Sequence, residues 1–180
     1  AEDVVRVGQG AGDPHALSYG LNSLGVLRVT VGPLDEAERN LEQDRAVTLQ
    51  ISSHRMHASA CGLLGKCYLR QGRLRSASQI LHETMHLIDV NKMNDLFMAD
   101  GVMGFAELSL IELDGLTGAS RRTALQRAKS ACKAALRLSR KAAVAWRPEA
   151  LRLHGQLAWI CGSKGRAITR WQNSIAAAAA

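Results

Sequence analysis

Apolar residues recur along the whole chain at steps of three and four, the spacing of amphipathic α-helices. Glycine, proline and aspartate interrupt this spacing at positions typical of turns, and β-branched runs are short. The pattern therefore predicts an all-α protein. The predicted helices cover residues 14–30, 34–50, 54–71, 74–90, 95–113, 120–141, 148–161 and 164–178, and residues 1–13 are expected to be the end of an upstream segment.

Four glycines inside these apolar helical segments recur at a nearly regular distance. Gly65 lies 40 residues after Gly25, Gly104 follows after 39 residues, and Gly155 follows after 51. A fixed period in this range is typical of stacked helical repeats. We therefore expect one helical repeat domain over residues 14–180, with units at about 14–53, 54–93, 94–146 and 147–180.

Each glycine starts the same series of small and large positions. A glycine seven residues later is expected to end the first helix with a positive φ, and an alanine twelve residues later is a second small position. A large residue sixteen positions later is expected to fill the space beside the first glycine. These residues are Gly32, Gly72 and Gly162, then Ala37, Ala77 and Ala167, then Leu41, Leu81 and Trp171. The third unit fits after a twelve-residue insertion, predicted to be a loop or helix extension, with Ala128, Cys132 and Ala135 in the second helix.

The series resembles that of the tetratricopeptide repeat (TPR) family over about residues 14–178. The residues that carry the resemblance are Leu64-Gly65, Tyr68, Gly72, Ala77 and Leu81, together with Gly155, Gly162, Ala167 and Trp171. The chain departs from the family in lacking the proline that closes each unit, in having Arg28 at an aromatic position, and in a period nearer 40 than 34. The resemblance implies a right-handed superhelix of about four antiparallel helix pairs, a TPR-like α-solenoid.

Longer repeats of this kind look like those of STAND-type ATPases and of the regulatory regions of class III nucleotidyl cyclases. This narrower resemblance depends on Gly12-Asp13-Pro14 before the first unit and on residues 153–175. It implies a regulatory or sensory region of a larger cytoplasmic signalling protein such as an adenylate cyclase. The acidic start, Ala1-Glu2-Asp3, does not resemble a signal peptide, and the missing initial Met favours a fragment of a longer chain.

In the TPR family the first helix of each pair lines a concave groove that binds a protein or peptide. The resemblance therefore implies a protein–protein interaction scaffold with no cofactor and no catalytic residue in this segment. The groove residues it implies are Tyr19, Asn22, Val26, Ser59, Gly62, Lys66, Leu69, Met98, Gly101, Phe105, Leu108, Arg152, Gln156 and Trp159. Phe105, Arg152 and Trp159 are side chains of the type that anchor interfaces, although both aromatic residues could instead belong to the core.

One motif indicates a different function. His82-Glu83-Thr84-Met85-His86 matches H-E-x-x-H, which on a helix places two histidines on one face for zinc and a glutamate beside the bound water. The alternative function is therefore a zinc-dependent hydrolase that uses His82, Glu83 and His86. The motif directly follows the packing residue Leu81, so it could equally be an accidental match on a repeat helix or hold a structural metal.

A zinc enzyme of this kind needs a third ligand, and the sequence offers no strong one. Asp89 occupies the position where the extended zinc-protease motif has glycine, and Glu107 lacks the expected neighbouring residues. His54 and His57, three residues apart, are a second candidate metal pair or simply part of a polar helix start.

Charge is unevenly distributed between the two halves of the chain. Residues 1–90 carry nine Lys and Arg against ten Asp and Glu, whereas residues 91–180 carry fourteen against six. Ten of the basic residues lie between Arg121 and Arg152, where alanines and Leu138 at helical spacing predict an amphipathic helix. The basic residues are either a solvated outer face or a surface for nucleic acid, an anionic membrane surface or an acidic protein. Nucleic acid is disfavoured because no aromatic residue interleaves them before Trp146.

Four cysteines and the absence of a long apolar run limit the class further. Cys61, Cys67, Cys132 and Cys161 form no CxxC pair and all fall in predicted helices, which favours buried thiols in a reducing compartment over disulfides. No apolar run of about 18 residues is present, so no membrane insertion is expected. These features predict a cytoplasmic location.

Overall fold

A computed structural model, which describes residues 1–179, contains nine α-helices and no strand in that range, and is 84% helical. The all-α prediction is therefore confirmed, while the right-handed superhelix stays a prediction. The helices are α1 (Glu2–Ala11), α2 (Pro14–Val31), α3 (Leu34–Gln50), α4 (His54–Arg70), α5 (Leu74–Val90), α6 (Ala99–Ile111), α7 (Gly118–Lys141), α8 (Arg147–Ile160) and α9 (Lys164–Ala178). Ala180, the end of the predicted fourth unit, lies outside the described residues.

The predicted helix boundaries are close to those observed, and the differences have local causes. Short 3₁₀ helices, Leu96–Met98 and Val144–Trp146, precede α6 and α8. The first of these is capped by Asp95, whose side chain accepts the backbone N–H of Phe97 at 3.0 Å. The insertion in the third unit forms the turn after α6 and a longer α7, which begins at Gly118 rather than at residue 120.

Residues 2–11 form a complete helix, α1, that packs against α2. A Cβ on Gly8 would lie 2.5 Å from the backbone nitrogen of Leu17, and one on Gly20 would lie 2.8 Å from that of Val5. The two helices therefore approach each other closely at both glycines. Asp13 begins α2 by accepting the backbone N–H groups of His15 and Ala16 at 2.9 and 3.2 Å, as is typical of an N-cap residue before proline.

The chain divides into two compact units, residues 1–93 and residues from Asn94 onward, at the predicted border between the second and third repeat units. In the first unit, consecutive helices from α1 to α5 pack against one another, and α2 also contacts α4. In the second unit, α6 to α9 pack consecutively, and α6 also contacts α8. Within each unit, the helices that begin successive predicted repeats are thus in contact.

The predicted packing of large residues against glycines is confirmed. A Cβ on Gly65 would lie 2.5 Å from both Cγ and Cδ2 of Leu81, and one on Gly155 would lie 2.5 Å from Nε1 of Trp171. Gly25 faces Leu41 in the same way. In the third unit Ala128, Cys132 and Ala135 are completely buried, while the twelve-residue offset itself stays a prediction.

The expected positive φ at the second glycine of each unit is found at two of the three positions. Gly72 and Gly162 have φ of 74° and 77°. Gly32 has φ −115° and ψ −168°, so the prediction for this residue is wrong. Pro33 explains the difference, because its ring pushes the preceding residue into the extended region.

The cysteines are free thiols, as the sequence favours, but they are not all buried. Cys61, Cys67 and Cys132 are buried, whereas Cys161 is exposed because it caps the end of α8 instead of lying inside the helix. Within residues 1–179, no helix combines the length and the apolar character that a membrane span requires.

Candidate functional site

A cleft in the second unit lies between the two helices that begin the third and fourth repeats. It has a volume of about 410 Å³, and α6 and the following turn line one side with Leu110, Ile111, Leu113 and Asp114. Gln156 and Ile160 of α8 line another side, and Arg121 comes from α7. The cleft thus combines apolar walls with an amide and two opposite charges.

An ion pair joins the same two helices. Arg152 Nη2 lies 3.2 Å from Glu107 Oε1, and both side chains are partly exposed. Glu107 is the weak candidate for a third zinc ligand in the hydrolase hypothesis. In the second unit it is instead paired with the guanidinium of Arg152. Arg152 and Gln156 are four residues apart and so lie on one face of α8.

Trp159 continues the exposed side of α8 toward its end. Its side chain is 48% exposed. The indole packs against Trp171 with ring centroids 5.7 Å apart, and Lys164 Nζ lies 5.6 Å from its ring centre. Trp171 is fixed in turn by its Nε1–H, which donates to the carbonyl of Arg152 at 3.2 Å. The exposed indole of Trp159 thus packs against Trp171 and lies on the same helix as Arg152 and Gln156.

The remaining predicted groove residues differ in exposure. Tyr19 is 52% exposed and Val26 42%. Lys66, Leu69 and Phe105 are half-buried. Ser59, Gly62, Met98, Gly101 and Leu108 are buried and present no side chain at a surface.

Asn22, also predicted for the groove, belongs to a buried polar network that joins α2, α3 and α4. The carboxylate of Asp44 accepts hydrogen bonds from the Ser18 hydroxyl and, at 3.0 Å, from Asn22 Nδ2. Asn22 also contacts the Ser59 hydroxyl at 3.3 Å. Asp44 is completely buried, and this burial raises its pKa to about 6 against the opposing effect of the two hydrogen bonds. The network holds three helices in register.

A second cleft in the second unit is strongly basic. It has a volume of about 450 Å³ and is lined by Lys133, Leu136, Arg137, Arg140, Lys141, His154 and Arg170. No carboxylate lines it among the residues that the structure describes. His154 Nδ1 is buried there without a hydrogen-bond partner within residues 1–179. Burial and the charges of Arg170, Arg140 and Arg166 lower the pKa of His154. The cleft therefore favours an anionic occupant.

The H-E-x-x-H motif lies on α5, with His82, Glu83 and His86 at least partly exposed and Thr84 buried. His82 Nδ1 donates to the carbonyl of Ser78 at 2.8 Å. In the part of the chain that the structure describes, neither histidine of the motif belongs to a group of three potential metal ligands. The described residues thus offer no third ligand for a zinc held by His82 and His86.

Glu83 instead approaches two buried residues of α4. The ligand atoms of His57, Cys61 and Glu83 all lie within 4.8 Å of one another. The sequence suggests His54 and His57 as a candidate metal pair, but His54 is exposed and is not part of this group. Burial raises the pKa of the Cys61 thiol to about 12. Burial also lowers the pKa of His57, and the positive charge of the nearby Arg45 lowers it further. The thiol is thus not a nucleophile by itself.

Sequence reasoning missed this group and the Asp44 network, although each has a partial signal. His57 and Cys61 are four residues apart, and Asp44 falls in the apolar stripe of α3 between Leu41 and Val47. Comparison with protein-family models found no match, and comparison with curated proteins found none either.

Proposed function

We propose that this chain is a protein–protein interaction module that binds a segment of another polypeptide in the cleft between α6 and α8. The observation that carries the proposal is the position of Gln156 in this cleft, since the TPR-like pattern assigns this residue to the binding groove. Ile111 and Ile160 supply apolar contact area, and Asp114 and Arg121 supply hydrogen-bonding groups. Pockets of this size and mixed character hold small ligands or a few side chains of a larger one.

Trp159 and Arg152 extend this surface along α8. An exposed tryptophan packed against Trp171 has little conformational freedom to lose on binding, which favours its use as an anchor. Arg152 is held by Glu107 at 3.2 Å and is therefore oriented in the absence of a partner. A segment with an apolar residue for the cleft and a planar or acidic group near Arg152 suits this arrangement.

We further propose that the module is a regulatory region of a larger cytoplasmic signalling protein, of the nucleotidyl cyclase or STAND-ATPase type. The support is the resemblance of residues 12–14 and 153–175 to long repeats of such proteins. The intact mass and peptide map of the native polypeptide test this. Peptides from a cyclase or ATPase domain in the same chain would support it, and a native chain of about this size would contradict it.

Selection from a displayed library of short peptides tests the binding function. Purified protein should enrich peptides with a common apolar residue, and Gln156→Ala should weaken their binding without changing helix content by circular dichroism. A matched control is Ile168→Ala on α9, since Ile168 lines neither cleft. Peptides that bind the wild type and the Gln156 variant equally would contradict the assignment of the cleft.

The basic cleft supports a second candidate function, the binding of nucleic acid. Lys133, Arg137, Arg140, Lys141 and Arg170 surround it, and each phosphate contact releases a counterion. Binding to a duplex oligonucleotide should then weaken steeply as salt is raised, and Arg137→Gln should reduce the slope. Absent or salt-independent binding would leave these residues as a solvated face or a site for an acidic protein.

A further inference from the structure

The orientation of the His57 ring follows from its hydrogen bond to α3. The Thr48 hydroxyl donates its single hydrogen to the carbonyl of Arg45 at 2.9 Å. Thr48 Oγ1 must therefore accept the 3.0 Å hydrogen bond from His57 Nδ1, so that Nδ1 carries the proton. The lone pair of Nε2 is thereby directed away from Thr48 and toward Cys61. A histidine fixed through its second nitrogen in this way is typical of metal ligands.

The distance between the two α4 side chains matches a shared tetrahedral ion. His57 Nε2 lies 3.6 Å from Cys61 Sγ. Two ligands at the usual zinc–nitrogen and zinc–sulfur bond lengths, separated by the tetrahedral angle, would be about 3.6 Å apart. His57 and Cys61 occupy positions i and i+4, so one turn of α4 sets this separation. The observed separation of the two ligand atoms is therefore the one that a shared ion requires.

Glu83 adds a carboxylate from a second helix. Its oxygen lies within 4.8 Å of both the His57 and the Cys61 ligand atoms. Glu83 also lines a small cleft of about 160 Å³, together with Arg45, Tyr68 and Gln79, and its side chain is 48% exposed. The cleft gives solvent access to Glu83, the side of the group from which a water ligand can complete a four-coordinate shell.

We propose that His57, Cys61 and Glu83 form a binding site for a soft divalent cation of the zinc class. Nitrogen, sulfur and one carboxylate oxygen are the ligands that zinc prefers, whereas calcium and magnesium prefer oxygen alone. On binding, the Cys61 thiol releases its proton to solvent, and its sulfur becomes a thiolate ligand. The site shares no residue with the cleft between α6 and α8 and does not depend on the proposed binding function.

Arg45 faces this group, and its contacts show how an ion can enter. Its guanidinium lies 3.7 Å from Glu83 Oε1, 3.2 Å from Glu42 Oε2, and beside the Cys61 thiol. The contact with Glu42 is the shorter of these two ion pairs, and Glu42 is not one of the three ligands. The incoming cation replaces Arg45 at Glu83, while Arg45 keeps its partner Glu42. Arg45→Gln should therefore increase zinc affinity.

Zinc and cobalt titrations of the full chain, reduced and freed of metal by a chelator, test the proposal. Wild type should bind about one zinc per chain in competition with a chromophoric chelator. Co²⁺ should produce a thiolate-to-metal charge-transfer band and the intense visible bands of tetrahedral coordination. Glu83→Gln, at a side chain that is 48% exposed, should weaken binding about tenfold or more. Cys61→Ser should remove the charge-transfer band.

Two matched control variants distinguish this site from metal binding at the buried thiol of the second unit or at the H-E-x-x-H motif. Cys132→Ser replaces an equally buried thiol in the other unit and should leave zinc binding unchanged. His86→Ala removes a histidine of the motif and should also leave it unchanged. Loss of zinc in His86→Ala but not in Cys61→Ser would overturn the proposal and assign the metal to the motif. The absence of zinc binding, or a cobalt spectrum without a thiolate band, would overturn it as well and leave an S–H···N hydrogen bond between Cys61 and His57.

Discussion

Gly65 of α4 faces Leu81 of α5 so closely that a single added carbon would overlap two atoms of the leucine. A Cβ on Gly65 would lie 2.5 Å from Leu81 Cγ and Cδ2, and 3.2 Å from Ile80 Cγ2. Leu81 is completely buried, so its side chain cannot turn outward to solvent without leaving the core. The contact therefore sets the distance between the two helices of the second repeat.

Gly65→Ala should destabilise the first unit despite the higher helix propensity of alanine. The added methyl group overpacks the contact with Leu81, which typically costs about 1–3 kcal/mol, and more when a side chain cannot move. Urea denaturation followed by circular dichroism measures the loss. Combined with Leu81→Ala, the substitution should cost less than the sum of the two single changes, because the methyl group then fills part of the cavity. Additive costs would show that the two residues do not share this space.

Gly165→Ala should have the opposite effect. Gly165 lies in the first turn of α9, and nothing approaches within 4 Å of its added Cβ. Only the backbone preference remains, which favours alanine by up to about 1 kcal/mol in a helix interior and by less near its end. The same denaturation assay should show a small gain in stability. A loss of stability would indicate that α9 packs more tightly than described.

Asp44 should make the stability of the first unit depend on pH in an unusual direction. Its pKa in the folded protein is about 6, above the ordinary value of 3.8, so between these pH values the folded state alone retains the proton. The stabilisation is complete below pH 3.8 and is lost as the pH rises to about 6. A shift of this size corresponds to at most about 3 kcal/mol.

Comparison with Asp44→Asn isolates this effect, because His57 and His154, whose pKa values are lowered, titrate in both proteins. The stability of the variant relative to wild type should rise between about pH 4 and pH 6 and stay constant above about pH 6. Urea midpoints across this range measure the difference. A difference that is independent of pH would mean that Asp44 is ionised throughout.

Trp159→Ala tests the interaction surface of α8. The truncation should weaken a peptide selected on the wild-type protein by about 2 kcal/mol, as for an anchor residue. Stability should fall by only about 1 kcal/mol, since the indole is half exposed and packs mainly on Trp171. Isothermal titration calorimetry and thermal unfolding separate the two quantities. An affinity that is unchanged in a folded variant would exclude Trp159 from the binding surface.

The helices and their packing partners could be predicted because they depend on local periodicity. Each series begins with a glycine and has a large residue sixteen positions later, such as Gly155 and Trp171. The large side chain packs against the glycine, and this geometric requirement is visible in the sequence itself. The φ of Gly32 was predicted wrongly because the following proline overrode the repeat pattern. The exposure of Cys161 was missed because α8 ends one residue earlier than predicted, at Ile160.

The polar sites could not be predicted in the same way. The network around Asp44 joins three helices, and the group of His57, Cys61 and Glu83 joins two, so no single segment reveals either of them. The H-E-x-x-H pattern includes Glu83, but its two histidines join no group of three potential ligands among the described residues. Whether Glu83 lies next to His57 and Cys61 depends on how α4 packs against α5, which the sequence of α5 alone does not show.

The exposure of Cys161 has a practical consequence for studying this protein. The other three thiols are buried, and their pKa values are raised to between about 11 and 12. A maleimide dye should therefore label native protein at one position, which is two residues from Trp159. Fluorescence of such a conjugate would report directly on events near α8 without any engineered cysteine. Reaction at the remaining thiols would then measure how often each unit opens.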